Sequence, residues 1–199
     1  MLSITMSARE RLLETAGHLF YTQGYMRTGI NQIIAEADVA KASFYAHFSS
    51  KKKLAKAYLE QRHSKWFESL ENELKKADQP AEKLTRLFTF LIHWMEEASC
   101  RGCAFINLNA EFPDDGDDIN AIVRSHKKQL MELIHDLTEQ AIATSKKGEE
   151  NHDIAVDNLA KLLYLLFEGA IVECQNFKSK WPAEKALELA KAEVRKHLD

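Results

Sequence analysis

A short segment near the N-terminus constrains the fold more strongly than any other part of the sequence. Two brief runs of helical periodicity, residues 28–37 and 41–47, flank a three-residue break that begins at Asp38. Aspartate tolerates the left-handed backbone conformation that a tight turn requires. An amphipathic run from Ser7 to Gly24 precedes the pair. This order predicts a helix-turn-helix whose second helix is narrow enough to enter the roughly 12 Å wide major groove of DNA.

Capping residues predict where the helices of this segment begin. Ser7 and Glu10 have the spacing of a capping box, which predicts the start of the first helix. Thr28 is expected to cap the second helix. The pair Ser49-Ser50 is expected to cap a long fourth helix that begins at Lys51.

Positive charge is concentrated in the same N-terminal region. Residues 1–56 contain eight basic and four acidic residues, a net charge of +4, which leaves −7 for the rest of a chain whose total is −3. Lys51, Lys52 and Lys53 fall in the first turn of the fourth helix, where each cation opposes the helix dipole by roughly 0.3–1 kcal/mol. A nearby phosphate would reverse that sign, so the cluster favours binding to a polyanion. A solvated charged surface and a chance asymmetry are the alternatives.

The residues from Thr28 to Leu54, TGINQIIAEADVAKASFYAHFSSKKKL, resemble the DNA-binding signature of the TetR family. That signature has a helix that begins with Thr, an Ile-Ala-x-x-Ala run, a Gly-Val turn, a short recognition helix, a Tyr-x-x-Phe pair, and Ser or Asn followed by Lys. The resemblance covers roughly residues 8–56. Asp38 replaces the usual turn Gly, Ala40 the usual Ser cap and Ala42 a frequent Gly, while Lys52 replaces a frequent acidic residue.

The resemblance implies which side chains contact DNA. Thr28 would contact a phosphate, Tyr45, His47 and Lys51 would hold the DNA backbone, and residues 41–43 would face the base edges. Lys can donate to guanine O6 and N7, Ser can donate or accept, and an Ala methyl can meet a thymine methyl. For Tyr45 and His47 the alternative is core packing, which we expect for Phe44 and Phe48. The expected DNA-binding set is Thr28, Lys41, Ala42, Ser43, Tyr45, His47, Lys51 and Lys52.

The rest of the chain has helical periodicity. Helix-breaking residues are few, since the whole sequence has only 3 Pro and 7 Gly. Pro80 stands where a helix can begin with proline. We therefore predict an all-α fold of about nine helices, with a helix-turn-helix domain over 1–50 and a ligand-binding and dimerisation bundle over 51–199. After the three N-terminal helices, the expected helices cover about 51–77, 80–99, 104–112, 118–145, 152–178 and 182–198.

The helix expected over 152–178 is apolar around most of its circumference, which indicates burial on more than one side. Together with the last helix it predicts packing on the chain itself and on a second subunit. TetR-like proteins dimerise through such a pair, so the resemblance implies a homodimer that reads a palindromic operator, with recognition helices roughly 34–36 Å apart. The candidate dimerisation residues are Leu159, Leu162, Leu166, Ala170 and Leu187.

The resemblance also implies a small-molecule effector bound among the central helices. Aromatic residues and Met with a few polar groups suit a mostly apolar ligand, although each of these residues has a simple core position as its alternative. The candidate lining residues are Phe88, Ile92, Met95, Phe105, Asn109, Phe112, His126, Leu130 and Phe167.

Cys100, Cys103 and Cys174 leave three alternatives open. They are buried structural residues, thiols that sense redox state, or part of a metal site. One Cys-x-x-Cys supplies two ligands where structural zinc needs four, so no metal or cofactor is expected.

The sequence contains no motif of an enzyme active site that we recognise, so we do not expect an enzyme. A helical ligand carrier is another alternative, which the basic cluster disfavours. The start of the chain lacks signal-peptide features, and no run reaches the roughly 18 apolar residues of a membrane span, so a cytoplasmic protein is expected. The expected activity is that of a repressor released by its effector, with activation as the alternative sign.

Overall fold

In the computed structural model, the described residues are 6–112, 118–144 and 152–198, and they form helices and no strands. The predicted all-α fold is confirmed, and each expected helix is present, with ends that differ by up to three residues. The helices within these ranges are α1 (Ala8–Thr22), α2 (Ile30–Glu36), α3 (Lys41–His47), α4 (Lys51–Leu74), α5 (Pro80–Glu97), α6 (Ala104–Asn109), α7 (Asp118–Ala143), α8 (His152–Phe177) and α9 (Trp181–Leu198).

The N-terminus of α1 has the capping box that the sequence predicts. The Ser7 backbone amide donates to the Glu10 carboxylate at 2.7 Å, and the Glu10 amide donates back to Ser7 Oγ at 3.3 Å. The hydrogen bonds from Ser7 hold the pKa of the Glu10 carboxyl below its ordinary value. The reciprocal pair satisfies amides that a helix N-terminus leaves unpaired, which places the start of α1 at Ala8.

The chain divides into two compact units. The first contains the described residues of Met1–Lys65 and Ala104–Arg124, and the second those of Trp66–Cys103 and Ser125–Asp199. The division therefore runs through α4 and α7, whereas the sequence suggested a boundary after residue 50. The predicted boundary after residue 50 separates a DNA-binding function from ligand binding and dimerisation, and it stays a prediction.

The first unit has its core beneath α1. Helices α2, α3 and α6 all pack against α1, and α2 packs against α3. Leu12, Ala16, Leu19 and Phe20 on α1 are at most 2% exposed, which confirms the apolar face predicted for that helix. This core holds the helix-turn-helix pair as part of one compact body.

The second unit is organised around α5, α8 and α9, which pack against one another. The inner face of α8 is buried at Val156, Leu163 and Ile171 among others, while Leu165 on the same helix is 66% exposed. Among the described residues, no helix is both long and apolar enough to cross a membrane.

Candidate nucleic-acid interface

The turn between α2 and α3 is tight and braced from α1. Asp38 has φ = 51°, the left-handed conformation expected of this position. The Arg11 guanidinium donates to the carbonyls of Ala37 at 3.0 Å and Asp38 at 3.1 Å. These bonds satisfy carbonyls at the end of α2 and fix the angle at which α3 leaves the turn.

Helix α3 has a buried side and an exposed side. Phe44 and Phe48 are buried, as predicted, and anchor the helix to the unit. Lys41, Ala42, Tyr45 and His47 are exposed and Ser43 is half-buried. Tyr45, with 48% of its surface accessible, lies outside the core, and its ring meets the Phe44 ring edge-on at 5.1 Å. The structure thus gathers six of the eight expected DNA-binding residues, those on α3 and Lys52, on accessible or half-accessible surface.

The predicted cap of α2 is wrong. The helix is capped by Gly29, and no side chain of the described residues bonds there. Thr28 is fully buried, and its hydroxyl donates to the Gly24 carbonyl at 2.7 Å. The Thr28 amide donates to the Tyr25 carbonyl at 3.2 Å. Since both donors close the turn that precedes α2, the side chain positions α2 from inside, with no donor turned to a phosphate in this conformation.

Lys51 also points inward. Its ammonium donates to the Tyr25 carbonyl at 2.9 Å and to the Thr28 carbonyl at 3.0 Å, and lies 4.1 Å from the centre of the Tyr25 ring. Burial lowers the pKa of the Lys51 ammonium, and the nearby Glu111 carboxylate raises it in part. Lys51 therefore ties the start of α4 to residues 24–28, which we call the Tyr25 turn.

Glu111 binds the same turn through its carboxylate, which accepts hydrogen bonds where Lys51 donates them. Its carboxylate accepts from the Tyr25 amide at 2.8 Å and from the Met26 amide at 2.7 Å. Gly24 has φ = +95°, and a Cβ atom built there would lie 3.1 Å from Glu111 Oε1. Phe112 adds a ring contact to Tyr25 at 4.7 Å. Sequence reasoning missed Glu111 because the pairing spans 86 residues along the chain and leaves no local pattern.

The other lysines at the start of α4 are exposed. The Lys53 amide donates to Ser50 Oγ at 3.1 Å, which confirms a serine cap for α4. Lys52, Lys53 and Lys56 line a small cleft of about 130 Å³ with Ser50 and the α7 residues Asp118 and Ile119. The Lys56 ammonium lies 3.9 Å from the Asp118 carboxylate. Lys52 and Lys53 thus supply accessible positive charge beside α3 in the sequence.

The expected effector-binding residues are distributed over both units. Phe105, Asn109 and Phe112 belong to the first unit, where Asn109 is exposed. Of the six in the second unit, the structure brings Phe88 and Phe167 into contact, with ring centres 5.8 Å apart. His126 is 2% exposed, and its ring lies 5.2 Å from that of Trp66, which also meets Phe167 at 6.3 Å. Ile92, Met95 and Leu130 have core or half-buried positions on α5 and α7.

Sequence reasoning missed the centre of this aromatic group. Trp66 on α4 meets Phe67, Phe90 and Trp94 at ring distances of 5.0, 5.3 and 5.6 Å. Phe90 and Trp94 recur four residues apart on α5, a spacing that could have signalled a shared face. We call the following seven residues, all in the second unit, the Trp66 cluster: Trp66, Phe67, Phe88, Phe90, Trp94, His126 and Phe167.

The residues expected at a dimer contact separate into two groups. Leu159 and Ala170 are buried within their own chain, at 1% and 6% exposure, so they are core residues of α8. Leu162 is 38% exposed, and Leu166 and Leu187 are half-buried. Further apolar surface that the sequence did not single out lies at Leu165 and Val172 on α8 and Leu189 on α9.

All three cysteines are free and buried, as the structural alternative expects. The Lys127 ammonium lies 3.7 Å from Cys103 Sγ and donates to the Glu168 carboxylate at 2.6 Å. Burial would lower the pKa of Lys127, but Cys103 and Glu168 outweigh it and raise that pKa. In the described part of the chain, the group of three residues close enough to share a metal ion is His135, Asp136 and Glu139, which includes no cysteine.

A helix-turn-helix braced by its own unit, with Lys41 and His47 exposed on its second helix, is typical of DNA-binding regulators. Residues 12–58 match the family model of bacterial regulatory proteins of the TetR family, and residues 80–190 match the model of the tetracyclin repressor-like C-terminal domain. The chain therefore belongs to the TetR family of transcriptional regulators, and its members are not enzymes.

Individual relatives agree with this assignment. The chain is 26% identical over 187 residues to the transcriptional repressor NemR of Escherichia coli strain K12, which covers 90% of this chain and 89% of NemR. It is 26% identical over 180 residues to the repressor DhaR of Mycobacterium sp. strain GP1, covering 90% and 88%. Among solved structures, SCO4454 of Streptomyces coelicolor, a TetR-family regulator, superposes with a TM-score of 0.86 at 26% identity over 96% of each chain.

Proposed function

We propose that this protein is a homodimeric repressor that binds a palindromic operator through α3 and is released by a small, mostly apolar effector. The observation that carries the DNA-binding part is the two-sided α3. Its exposed residues stand on a helix fixed from below by Phe44 and Phe48 and from the side by Arg11. A recognition helix needs this rigidity, because base readout depends on side chains held in a set geometry.

Within this site the roles divide by chemistry. Lys41 and Ser43 face base edges and Ala42 offers a methyl group, while Tyr45 and His47 contact the DNA backbone. Lys52, with Lys53 beside it, supplies the phosphate contacts that Lys51 was expected to make, since Lys51 is engaged in the Tyr25 turn. Thr28 positions α2 from within that turn.

A second subunit is supported by apolar surface on α8 and α9. Leu165 is 66% exposed and Leu162, Val172 and Leu189 are each about two-fifths exposed. Exposed apolar residues that recur along neighbouring helices are typical of a protein interface. The proposed dimer covers these residues and, at its edge, Leu166 and Leu187.

Effector release follows from differential affinity. An effector favours the DNA-incompetent state only by binding that state more tightly than the operator-bound state. The same structural elements would serve an activator if the effector favoured the operator-bound state. Measuring operator affinity with and without effector distinguishes the two. For a DNA-binding regulator we propose a cytoplasmic location.

The first experiment is selection of bound sequences from a random pool of duplex DNA, followed by affinity measurements at two salt concentrations. We expect a palindrome and a steep salt dependence. Lys41→Ala and Ser43→Ala should change the preferred bases, whereas Lys191→Ala, an exposed lysine on α9, should leave them unchanged. Enrichment of no sequence, together with no binding at low salt, would refute DNA recognition by the unliganded protein and favour the helical carrier.

A thiol response is the second candidate, because the Lys127 ammonium lies 3.7 Å from Cys103 Sγ. Peroxide would transfer one oxygen to the Cys103 sulfur, forming an S–O bond and breaking the O–O bond, with water as the second product. Operator affinity is measured before and after peroxide treatment of the parent and of Cys103→Ser. An affinity that peroxide leaves unchanged in the parent contradicts the thiol response.

A further inference from the structure

The Trp66 side chain has a polar atom for which the fold gives no account. Trp66 is 6% exposed, and its indole Nε1–H is buried without a hydrogen-bond partner among the described residues. A buried donor that gives up water and finds no acceptor loses the full solvation of that group. Such atoms are rare in folded proteins, and each one calls for an explanation.

Five aromatic rings surround the indole that carries this donor. Rings from α4, α5, α7 and α8 approach the indole at 5.0–6.3 Å, and their planes are inclined to it by 71–87°. Such edge-to-face packing gives a flat molecule both ring faces and ring edges to contact. His126 is the titratable member of the cluster, which holds no carboxylate or ammonium side chain to pair with a buried charge.

We infer that the Trp66 cluster binds the effector, and that the effector is a flat, uncharged aromatic molecule whose carbonyl oxygen accepts from Trp66 Nε1–H. This inference rests on the proposed function, since it names the ligand class of an effector-responsive regulator. The donor requires an acceptor, and the rings require an apolar body beside it. Trp94 is half-buried and the other six members of the cluster are buried, so a ligand would reach the cluster past Trp94.

A matched pair of probes isolates the hydrogen bond. Indanone and indane share a fused aromatic skeleton and differ in the carbonyl oxygen. Their affinities for the full chain are measured by titration, and the indole N–H resonances are followed by ¹⁵N NMR, with the Trp66 signal assigned by its loss in Trp66→Phe. We expect indanone to shift the Trp66 resonance and to bind roughly fivefold to tenfold more tightly than indane, as one satisfied buried donor implies.

Two variants make the assignment specific to Trp66. Trp66→Phe keeps an aromatic ring but has no N–H, so the preference for indanone should fall to about onefold while indane still binds. Trp181→Phe, at an exposed Trp on α9 outside the cluster, is the matched control, and it should keep the preference. Should Trp66→Phe fail to fold, the Trp66 signal is assigned as the one of three indole signals that neither Trp94→Phe nor Trp181→Phe removes, and its shift in the parent decides the question.

Equal affinity for the two probes, an unshifted Trp66 resonance, or binding of neither probe overturns the inference. An unshifted resonance would indicate that the indole N–H rests against a neighbouring ring face, a weak hydrogen bond that needs no ligand. Operator affinity is measured in parallel. Intact operator binding with no indanone preference rejects the ligand class alone, whereas loss of operator binding in the parent rejects the proposed function whatever the probes do.

Discussion

Replacing Lys51 by Met tests whether this residue supports the fold or contacts DNA. Met fills much of the same volume but removes the ammonium that donates at 2.9 and 3.0 Å to the Tyr25 and Thr28 carbonyls. Each of these two hydrogen bonds to a charged group contributes roughly 1.5–3 kcal/mol, and the partial exposure of Lys51 reduces their sum. We expect the variant to lose about 2–3 kcal/mol, a fall of roughly 5–10 °C in melting temperature for a chain of this length.

The adjacent Lys53 is the matched control, because it stands in the same helical turn with an exposed side chain. Thermal unfolding is followed by circular dichroism, and operator affinity is measured from low to moderate salt. Lys53→Met should unfold at the same temperature as the parent. The slope of log affinity against log salt should decrease in magnitude by about 0.9, the effect of one phosphate contact. Lys51→Met should keep the parent slope at temperatures where it is folded.

The opposite pattern would refute this division of roles. Lys51 contacts a phosphate, as the family resemblance implies, if two results are found for Lys51→Met. Its melting temperature would equal that of the parent, and its slope of log affinity against log salt would decrease in magnitude by about one unit. The ammonium would then leave the Tyr25 turn when DNA binds, and the bonds of this structure would describe only the free protein.

Glu111→Gln replaces one of the two acceptor oxygens of the Tyr25 turn by a donor and should cost about 1–3 kcal/mol, and unchanged hydrogen exchange of the turn amides would contradict this. Gly24→Ala should destabilise the first unit by about 1–2 kcal/mol because φ is +95° there. Gly169→Ala places its methyl group in open space on α8 and should stabilise the protein by about 0.5–1 kcal/mol. Equal melting temperatures for the two variants would refute the distinction. Burial acts to raise the pKa of Glu73, but its bonds to Arg86 and a neighbouring lysine outweigh burial and hold that pKa below 4.5. This stabilisation is therefore present above pH 4.5 and is lost as the pH falls through the lower pKa of the folded state. Glu73→Gln should flatten the acid limb of the curve of unfolding free energy against pH. A variant curve parallel to that of the parent would contradict this expectation.

Local sequence patterns were sufficient for the helices. The period of the apolar residues depends only on neighbours along the chain, and so do the Ser7 and Ser50 caps and the left-handed Asp38 turn. The same period predicts that Phe44 lies in the core, whereas the surface position of Tyr45 was implied by the family resemblance.

The contacts that sequence analysis did not predict join segments that are distant along the chain. Thr28 and Lys51 carry polar groups whose partners are set by the path of the backbone between α1 and α2, and a motif does not record where a side chain turns. Glu111 acts 86 residues from its partner amides. The centre of the Trp66 cluster lies on α4, and helical periodicity does not tell which rings of other helices it meets.

Fold class, helix order and membership of a DNA-binding family thus follow from the amino-acid sequence, because they depend on periodicity, capping and a contiguous signature. The tertiary structure decides which cations meet solvent and which carboxylate holds the Tyr25 turn. It also decides which indole is buried without an acceptor among the described residues. Those properties are sums over contacts between distant segments, and burial changes the free energy of a polar group by more than its neighbours in sequence do.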